Sequence, residues 1–206
     1  MHPIPILPAW LLELVRDVIN KQSTYTNPLA KKGFVVYRSE EDMNIKATPL
    51  LRILGFCKAH NDGRLTAILH DASHKVLVCF SRESLIKYEN KHLERLTYMS
   101  INSILLIKEA NLRFITITQL PQLFGSVPGL KLKPGLGILV LEVTIVDSFT
   151  KQQLRVPPKD DDAVPFLYSD PEYLELCMEE GDVLGLEASR RYLCGDMVSD
   201  EEELGT

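Results

Sequence analysis

Apolar and polar residues alternate most clearly between positions 65 and 80, where two apolar runs flank a short polar stretch. The runs Leu65–His70 and Lys75–Phe80 are rich in β-branched and aliphatic residues, as strands are. Between them, Asp71–His74 supplies polar side chains that suit a reversing loop. The pattern predicts a β-hairpin whose loop is braced by Asp71, because an aspartate in a turn commonly accepts backbone N–H groups.

A short helix is predicted directly after the hairpin. Ser81 can cap it, and Glu83 complements the positive end of the helix dipole. We therefore predict a helix from Arg82 to about Asn90.

Three further apolar runs follow this helix. Ser103–Ile107 and Leu112–Ile117 are predicted as separate strands on either side of a turn at Lys108–Asn111, where Asn111 is a residue type that tolerates a positive φ angle. A stretch rich in proline and glycine comes next, and Ile138–Val146 is predicted as the last strand.

The residues before the hairpin predict a helix and a long strand. One helical face over about three turns carries the apolar residues Trp10, Leu11, Leu14, Val15 and Val18. Residues 21–46 show little periodicity apart from a possible strand at Gly33–Arg38. Thr48–Lys58 is predicted as a strand that bulges or bends at Gly55, and Asn61–Gly63 as the turn that follows it.

The C-terminal quarter of the sequence contains one well-marked helix. Asp170 can cap it and Pro171 suits its first position, with a stop near Gly181. A weaker helix is predicted at Leu186–Leu193, and Ser199–Glu203 is expected to be disordered.

Charge divides the chain into two regions. Its formal net charge is −5, yet residues 151–206 hold 15 acidic and 5 basic residues, whereas residues 1–150 hold 13 acidic and 18 basic ones. We predict a domain over residues 1–150 and an acidic extension over residues 151–206, with a helix near 170–180 and a disordered end. A mildly basic body with a strongly acidic tail does not suit a protein that coats a polyanion, but it leaves room for a local nucleic-acid groove.

The order of elements predicts a mainly β fold. A five-stranded OB-fold Greek-key barrel, with an N-terminal helix, a helix between strands 3 and 4 and a C-terminal helix, accounts for all of them. An SH3-like barrel and another mixed α/β arrangement remain open alternatives.

The sequence contains no recognisable catalytic or metal-binding pattern. Gly135 and Gly137 lack the third glycine and the following helix of a dinucleotide site, and the four cysteines and five histidines show no ligand spacing. No apolar run approaches the roughly 20 residues that span a bilayer, and no basic region precedes the apolar residues at the start. We expect a soluble intracellular protein that is not an enzyme and needs no cofactor or metal.

Several segments together resemble one known family. Trp10 at the start of a helix, the hairpin LTAILHDASHKVLVCF, the segment SRESLIKYENKHLER and the strand region ILLIKEANLRFI are similar to the telomerase-recruiting OB-fold family. That family includes a yeast telomerase accessory subunit, the third Ever Shorter Telomeres protein, and the shelterin adaptor ACD. The resemblance implies a non-catalytic module that binds the telomerase catalytic subunit through its OB-fold surface.

The resemblance also implies a set of partner-binding residues, most of them in the segment after the third strand. They are Trp10, Asp71, Tyr88, Glu89, Glu94, Arg95, Asn102, Ser103 and Leu106. Lys91 and His92 stand where the animal form has acidic residues, and Met99 replaces an acidic residue of the yeast form. We therefore expect a recognition surface of mixed charge, in which Trp10 is more suited to packing in the core than to touching a partner.

The leading hypothesis is a telomerase accessory subunit or telomere-end adaptor in the nucleus, at the chromosome telomere. Its expected partners are the telomerase reverse transcriptase and other subunits of the telomerase ribonucleoprotein, together with shelterin-type proteins, while nucleic-acid contact is weak or indirect. The alternative is an OB-fold protein that binds single-stranded telomeric DNA or RNA in the barrel groove.

Overall fold

The computed structural model describes residues 7–22, 34–35, 49–149 and 164–178. Within these residues the fold is mainly β, with four α-helices and six strands. In chain order they are α1 (Leu11–Gln22), β1 (Phe34–Val35), β2 (Leu50–Ala59), β3 (Leu65–His70), β4 (Lys75–Phe80), α2 (Arg82–His92), β5 (Ile104–Ile115), α3 (Leu120–Phe124), β6 (Ile138–Ser148) and α4 (Pro171–Met178).

Five of the strands pair in a closed cycle. β2 pairs with β3, β3 with β4, β4 with β6, β6 with β5, and β5 with β2. The β4–β6 pair is parallel and the other four are antiparallel. β1 pairs separately with β5, at Leu112 and Asn111. Each of the five strands therefore has two hydrogen-bonded neighbours within the cycle, and β5 has β1 as a third.

The two strands predicted around a turn at Lys108–Asn111 are one continuous strand, so that prediction was wrong. β5 pairs with β6 along almost its whole length, and Asn111 lies opposite Glu142. The register shifts between Ile107 and Glu109, and again between Glu109 and Ala110. These irregularities keep the polar residues inside the strand, because a bulge absorbs an extra residue without ending the pairing.

Positive φ angles occur at other positions than Asn111, which lies within β5. Among the described residues other than glycine, only Leu93 (57°) and Asn102 (72°) have positive φ angles. Both lie between α2 and β5, which is where the chain turns.

Locally encoded features of the sequence are confirmed. The Ser81 hydroxyl accepts a hydrogen bond from the backbone N–H of Ser84 and caps α2, which ends two residues later than predicted. Asp170 caps α4 in the same way, through the N–H groups of Glu172 and Tyr173. The expected irregularity of the second strand is present, since its pairing with β3 shifts register between Ile53 and Gly55.

α4 belongs to the same core as the strands. Tyr168, just before α4, and Tyr173 and Cys177 within it are buried in the main apolar cluster. The Tyr168 hydroxyl accepts from the Leu77 N–H (2.9 Å) and donates to the Leu139 carbonyl (2.6 Å), which joins β4 to β6.

Tyr173 continues this bridge along β6. Its hydroxyl accepts from the Leu139 N–H (3.0 Å) and donates to the Gly137 carbonyl (2.7 Å). Burial raises the pKa of both phenols well above the usual value, so they stay protonated and able to donate. The two tyrosines thus supply hydrogen bonds where β6 begins and its ladder with β4 is incomplete.

Several predictions lie outside the described residues. They are the stop at Gly181, the helix at Leu186–Leu193, the disordered end at Ser199–Glu203 and the part of the Gly33–Arg38 strand beyond β1. The division of the chain near residue 150 stays a prediction for the same reason.

We predict that Tyr168→Phe destabilises the fold. The variant keeps the ring but leaves the Leu77 N–H and the Leu139 carbonyl without this buried partner, which costs about 1–3 kcal/mol. The free energy of unfolding in urea measures the loss. Tyr98→Phe is the matched control, since Tyr98 is 76% exposed, and equal stability of the two variants would contradict the proposed bridge.

Candidate functional site

The nine residues implied by the resemblance fall into two groups in the structure. Trp10 and Asp71 are buried, with 1% and 0% of their surface exposed. The other seven lie on or beside the connection from α2 to β5. Tyr88 of this second group is also buried, so the surface that a partner can reach is formed by the other six residues.

Asp71 organises the N-terminus of α1 and the hairpin loop. One carboxylate oxygen accepts from the backbone N–H groups of Trp10 (2.7 Å) and Leu11 (2.8 Å). The other accepts from the N–H groups of Ser73 (2.7 Å) and His74 (2.8 Å) and from the Ser73 hydroxyl (3.0 Å). The expected role of Asp71 as a brace of its own turn is confirmed, and the carboxylate also caps a helix about 60 residues away.

Trp10 packs in the main core and uses its indole N–H to hold β2. The Nε1 atom donates to the Leu50 carbonyl at 3.0 Å. Trp10 and Asp71 therefore position α1 on the hairpin and on β2, and neither side chain is available for direct contact with a partner in this structure.

Tyr88 is 7% exposed and lies between α2 and β6. Its ring is 4.6 Å from the ring of His92 on the next helical turn. Burial raises the pKa of Tyr88. This residue anchors the last turns of α2 and presents little surface of its own.

Beneath the end of α2, three basic side chains converge on Asp147 of β6. His92 Nε2 lies 2.6 Å from one carboxylate oxygen, while Lys91 and Lys108 contact the other, Lys108 at 3.2 Å. Burial of Asp147 opposes its ionisation, but hydrogen bonds from Lys91, Lys108 and His92 outweigh burial and hold its pKa well below the usual range. The cluster fixes the end of α2 to β5 and β6.

Beyond α2 the chain turns sharply into the connecting segment, which we define as residues 93–103. Leu93 ends the helix in the left-handed conformation, and its side chain is 89% exposed. Arg95 folds back onto the helix, where its Nε atom lies 2.7 Å from a Glu89 carboxylate oxygen. Glu94 is exposed between them. An ion pair this exposed contributes little to stability, so these charges are available to a partner.

The connecting segment is held in place at both ends. Leu96 is buried in the main core. Thr97 caps a single 3₁₀ turn over Tyr98–Ser100. The backbone of Ile53 in β2 then accepts from the Asn102 N–H (2.8 Å) and donates to the Ser103 carbonyl (3.0 Å). The segment is therefore a shaped surface fixed to the sheet.

Large apolar side chains on this segment are exposed, although none of them is among the nine residues that the resemblance implies. Tyr98 and Met99 are each 76% exposed, and Ile101 is 38% exposed. Together with Leu93 they give the segment an apolar surface, flanked by Glu89, Glu94 and Arg95. In the sequence, these four apolar residues do not follow the spacing of a helix or a strand, and this distinguishes them from core residues.

Leu106 lies next to this surface on β5. It is half-buried and packs with Leu50 and Ile104 in a second, smaller apolar cluster. In the sheet it lies opposite Asp147. Leu106 thus links the connecting segment to the Asp147 cluster, and Asn102 and Ser103 are exposed where the segment enters β5.

The described residues offer no arrangement typical of catalysis. No group of three or more His, Cys, Asp or Glu side chains among them is placed to hold a metal ion. Burial raises the pKa of Cys57 and Cys79 to about 11 and that of Cys177 to about 12, so these thiols are poor nucleophiles. In the same part of the chain, no helix has the length and apolarity needed to cross a membrane.

The fold and the exposed segment define a small, mainly β protein with a docked terminal helix and one mixed apolar and charged surface. The family model described as "Shelterin complex subunit, TPP1/ACD" matches residues 7–159. The chain therefore belongs to the TPP1/ACD family of shelterin subunits.

Its relatives include two yeast proteins named telomere replication protein EST3. The one from Debaryomyces hansenii is 35% identical over 177 residues, which cover 85% of this chain and 83% of the relative. The one from Candida albicans is 31% identical over 176 residues, covering 85% and 79%. A solved structure of the Est3 telomerase subunit of Hansenula polymorpha superposes with a TM-score of 0.57 at 21% identity, covering 88% of this chain and 92% of that one. This last likeness concerns the fold alone.

We predict that Asp71→Asn destabilises the protein although it hardly changes the volume of the side chain. The amide places an N–H₂ group against backbone N–H donors, and leaving such groups unsatisfied costs about 1–3 kcal/mol. Urea unfolding measures the change. Asp62→Asn, in the exposed turn before β3, is the control and should cost less than about 0.5 kcal/mol; similar losses would mean that Asp71 is not the brace described here.

We predict a pH-dependent contribution from Asp147. Its pKa in the folded state lies below the unfolded value of about 4, so its stabilisation is present above that pH and is lost as the pH falls. Asp147→Asn should therefore cost about 1 kcal/mol at neutral pH, with a smaller difference from the wild type under strongly acidic conditions. Urea unfolding at both pH values tests this, with the exposed Glu175→Gln as control. A difference that does not depend on pH would contradict the assignment.

Proposed function

We propose that this protein is a non-catalytic accessory component of telomerase that binds the telomerase catalytic subunit through the connecting segment. The observation that carries the proposal is a fixed loop on which apolar side chains are exposed and surrounded by charges. The two yeast relatives, both named telomere replication protein EST3, support a role in telomere maintenance. Action in the nucleus at chromosome telomeres, alongside other telomerase subunits and shelterin-type proteins, follows from this role.

We infer that the scaffold is an OB-type Greek-key barrel. The closed cycle β2–β3–β4–β6–β5 supports it, since this is the strand order of a five-stranded barrel with its long helical connection between the third and fourth strands. The similarity in fold to a solved Est3 subunit supports it as well. In this arrangement α2 and the connecting segment together form that long connection.

The composition of the segment suits a protein partner. Interface hot spots are commonly aromatic or long apolar side chains at the centre of a patch, and rim charges mainly tune association rate and specificity. Tyr98 and Met99 fit the central role, while Glu89, Glu94 and Arg95 fit the rim. Because Leu96, Asn102 and Ser103 already fix the backbone, little conformational entropy is lost when the segment docks.

Reversal of the charges at Glu89 and Glu94 tests the charged rim of the surface. We predict that the double variant Glu89→Lys, Glu94→Lys reduces co-purification of telomerase with the tagged full-length protein. The introduced lysines then repel the basic groups of the partner that the two glutamates attract. The amount of telomerase RNA and catalytic protein recovered is the measurement. Glu175→Lys, an exposed reversal on α4, is the matched control and should leave recovery unchanged.

Truncation of Tyr98 and Met99 to alanine tests the apolar centre of the surface. We predict that Tyr98→Ala combined with Met99→Ala lowers the affinity about tenfold or more, since central apolar anchors contribute most of the binding energy. Both side chains are exposed, so the unfolding midpoint should stay close to the wild-type value. Full recovery of telomerase with all four positions changed would remove the connecting segment from consideration.

A further inference from the structure

A cavity of about 320 Å³ lies between α3 and the strands β3, β4 and β6. Thr66, Cys79 and Glu142 form a row across its floor, because Cys79 pairs with each of the other two in the sheet. Gln119 and Leu123, at the cap and within α3, belong to the opposite wall. Pockets for small ligands begin at about 300 Å³, so the cavity has room for a few side chains but not for a helix.

α3 is held over the cavity by its own backbone carbonyls. His60 Nε2 donates to the Leu123 carbonyl at 2.8 Å, and the Lys58 ammonium donates to the Gln122 carbonyl at 2.9 Å. The Thr66 hydroxyl also lies 3.1 Å from the Leu123 carbonyl. These contacts come from the end of β2, the following turn and β3. The walls of the cavity are therefore fixed to one another by the fold.

The lining combines apolar side chains with groups that form hydrogen bonds. Ile115 and Val140 supply apolar surface, while Gln119 and Gln122 supply side-chain amides. An amide side chain can both donate and accept, as the backbone of a polypeptide does. A short peptide segment with apolar side chains therefore matches this lining.

Positive charge predominates among the charged residues of the lining. Arg64 and Arg113 face one carboxylate, that of Glu142, which pairs with Arg113 at 3.1 Å. Arg64 pairs at 2.7 Å with Asp62, whose side chain is 53% exposed. An ion pair this exposed contributes little to stability, so Arg64 can exchange its partner for another carboxylate at small cost. Lys58, which holds α3, adds a further cation beside the cavity.

The residues that follow α4 in the sequence carry the complementary charge. Residues 179–206 hold nine acidic and two basic residues. Among them, Met197 and Val198 lie between Asp196 and the acidic run Asp200–Glu203. An apolar pair flanked by carboxylates is the chemistry that the lining and the basic side chains of the cavity complement.

The chain is long enough for this segment to reach the cavity. Seventeen residues separate α4 from Asp196. A chain of that length spans up to roughly 55 Å when extended, whereas a domain of about 130 residues is roughly 35–40 Å wide. A segment joined to its binding site by a short linker has an effective concentration in the millimolar range, so weak contacts are sufficient to hold it.

We propose that residues 196–203 of this chain dock on the cavity. Met197 and Val198 enter it beneath α3, and the carboxylates of Asp200–Glu203 lie against Arg64 and Lys58. Methionine suits an irregular cavity because its unbranched side chain adapts its shape. The docked segment joins the acidic extension to the basic end of the domain and covers that face. This contact uses no residue of the connecting segment, so it is independent of the function proposed above.

A nitroxide spin label on Cys194 of the full-length protein tests the proposal. Cys194 lies two residues before Asp196. The other three cysteines, Cys57, Cys79 and Cys177, react slowly because burial raises the pKa of each thiol. The label broadens the NMR signals of amides that lie near it, and the measurement therefore maps where the segment docks.

We expect broadening of the amides of His60, Arg64 and Gln122 at low salt. It should be lost for the most part in 1 M salt, where the Debye length is only about 3 Å. In a mixed sample, isotope-labelled protein without the nitroxide is combined with spin-labelled protein without the isotope. No broadening is expected there, because the contact forms within one chain. Broadening in the mixed sample would mean that a second copy occupies the cavity, and the proposal would be wrong.

Exchange of charges tests the ionic contact. Arg64→Glu should abolish the broadening, and so should the triple variant Glu201→Lys, Glu202→Lys, Glu203→Lys. Combining these changes should restore it, because the charges are then opposite again. The matched control reverses three acidic residues elsewhere in the extension, Asp160→Lys, Asp161→Lys and Asp162→Lys, and should leave the broadening unchanged.

Removal of the apolar pair tests the contact inside the cavity. Met197→Ser with Val198→Ser should abolish the broadening, whereas Val183→Ser with Leu184→Ser, a second apolar pair after α4, should not. Absence of broadening in the wild type, broadening confined to residues 93–103, equal losses in variant and control, or no recovery on charge exchange would each overturn the proposal. None of these readouts involves telomerase, so their failure leaves the role of the connecting segment to its own variants.

Discussion

A buried carboxylate connects the parts of this fold that are most distant in sequence. Burying a charge is costly unless it is fully hydrogen-bonded, and Asp71 accepts from Trp10, Leu11, Ser73 and His74. His74 in turn contacts Asp170, the cap of α4, at 3.0 Å. One hairpin loop therefore sets the positions of both terminal helices. Those helices also meet directly, through an ion pair between Arg16 of α1 and Glu172 of α4.

The features that could be predicted well from the sequence are those formed by contacts between residues a few positions apart. The caps at Ser81 and Asp170 and the brace at Asp71 each pair a short polar side chain with nearby N–H groups, and that chemistry is readable locally. β5 was misread because its polar middle residues resemble a turn, whereas pairing with β6, more than 25 residues away, keeps them in a strand. The hydrogen bonds from Tyr168 and Tyr173 to the strands could not be predicted for the same reason, since they join segments that are distant in the sequence.

The resemblance to a known family located the candidate surface, but the sequence predicted only its charged residues and not its exposed apolar residues. The charges at Glu89, Glu94 and Arg95 could be named from the sequence, because exposed charges need no tertiary context. The exposure of Tyr98 and Met99 could not be predicted from the sequence. It depends on the positive φ angle of Leu93 and on the burial of Leu96 in the core, which together set the path of the backbone. Burial likewise removed Trp10 and Asp71 from the reachable surface. The physical picture is an apolar patch with charged edges, rather than a set of charges.

The connecting segment and a cavity beneath α3 lie at opposite ends of the same strand. β5 begins beside the connecting segment at Ile104 and reaches the cavity at Ile115. Eleven residue steps at about 3.3 Å place these ends roughly 30 Å apart once the bulges are allowed for. A protein bound to the connecting segment would therefore not cover the cavity. Since β5 pairs with β6 along this distance, the spacing between the connecting segment and the cavity is fixed by the sheet and does not depend on a flexible linker.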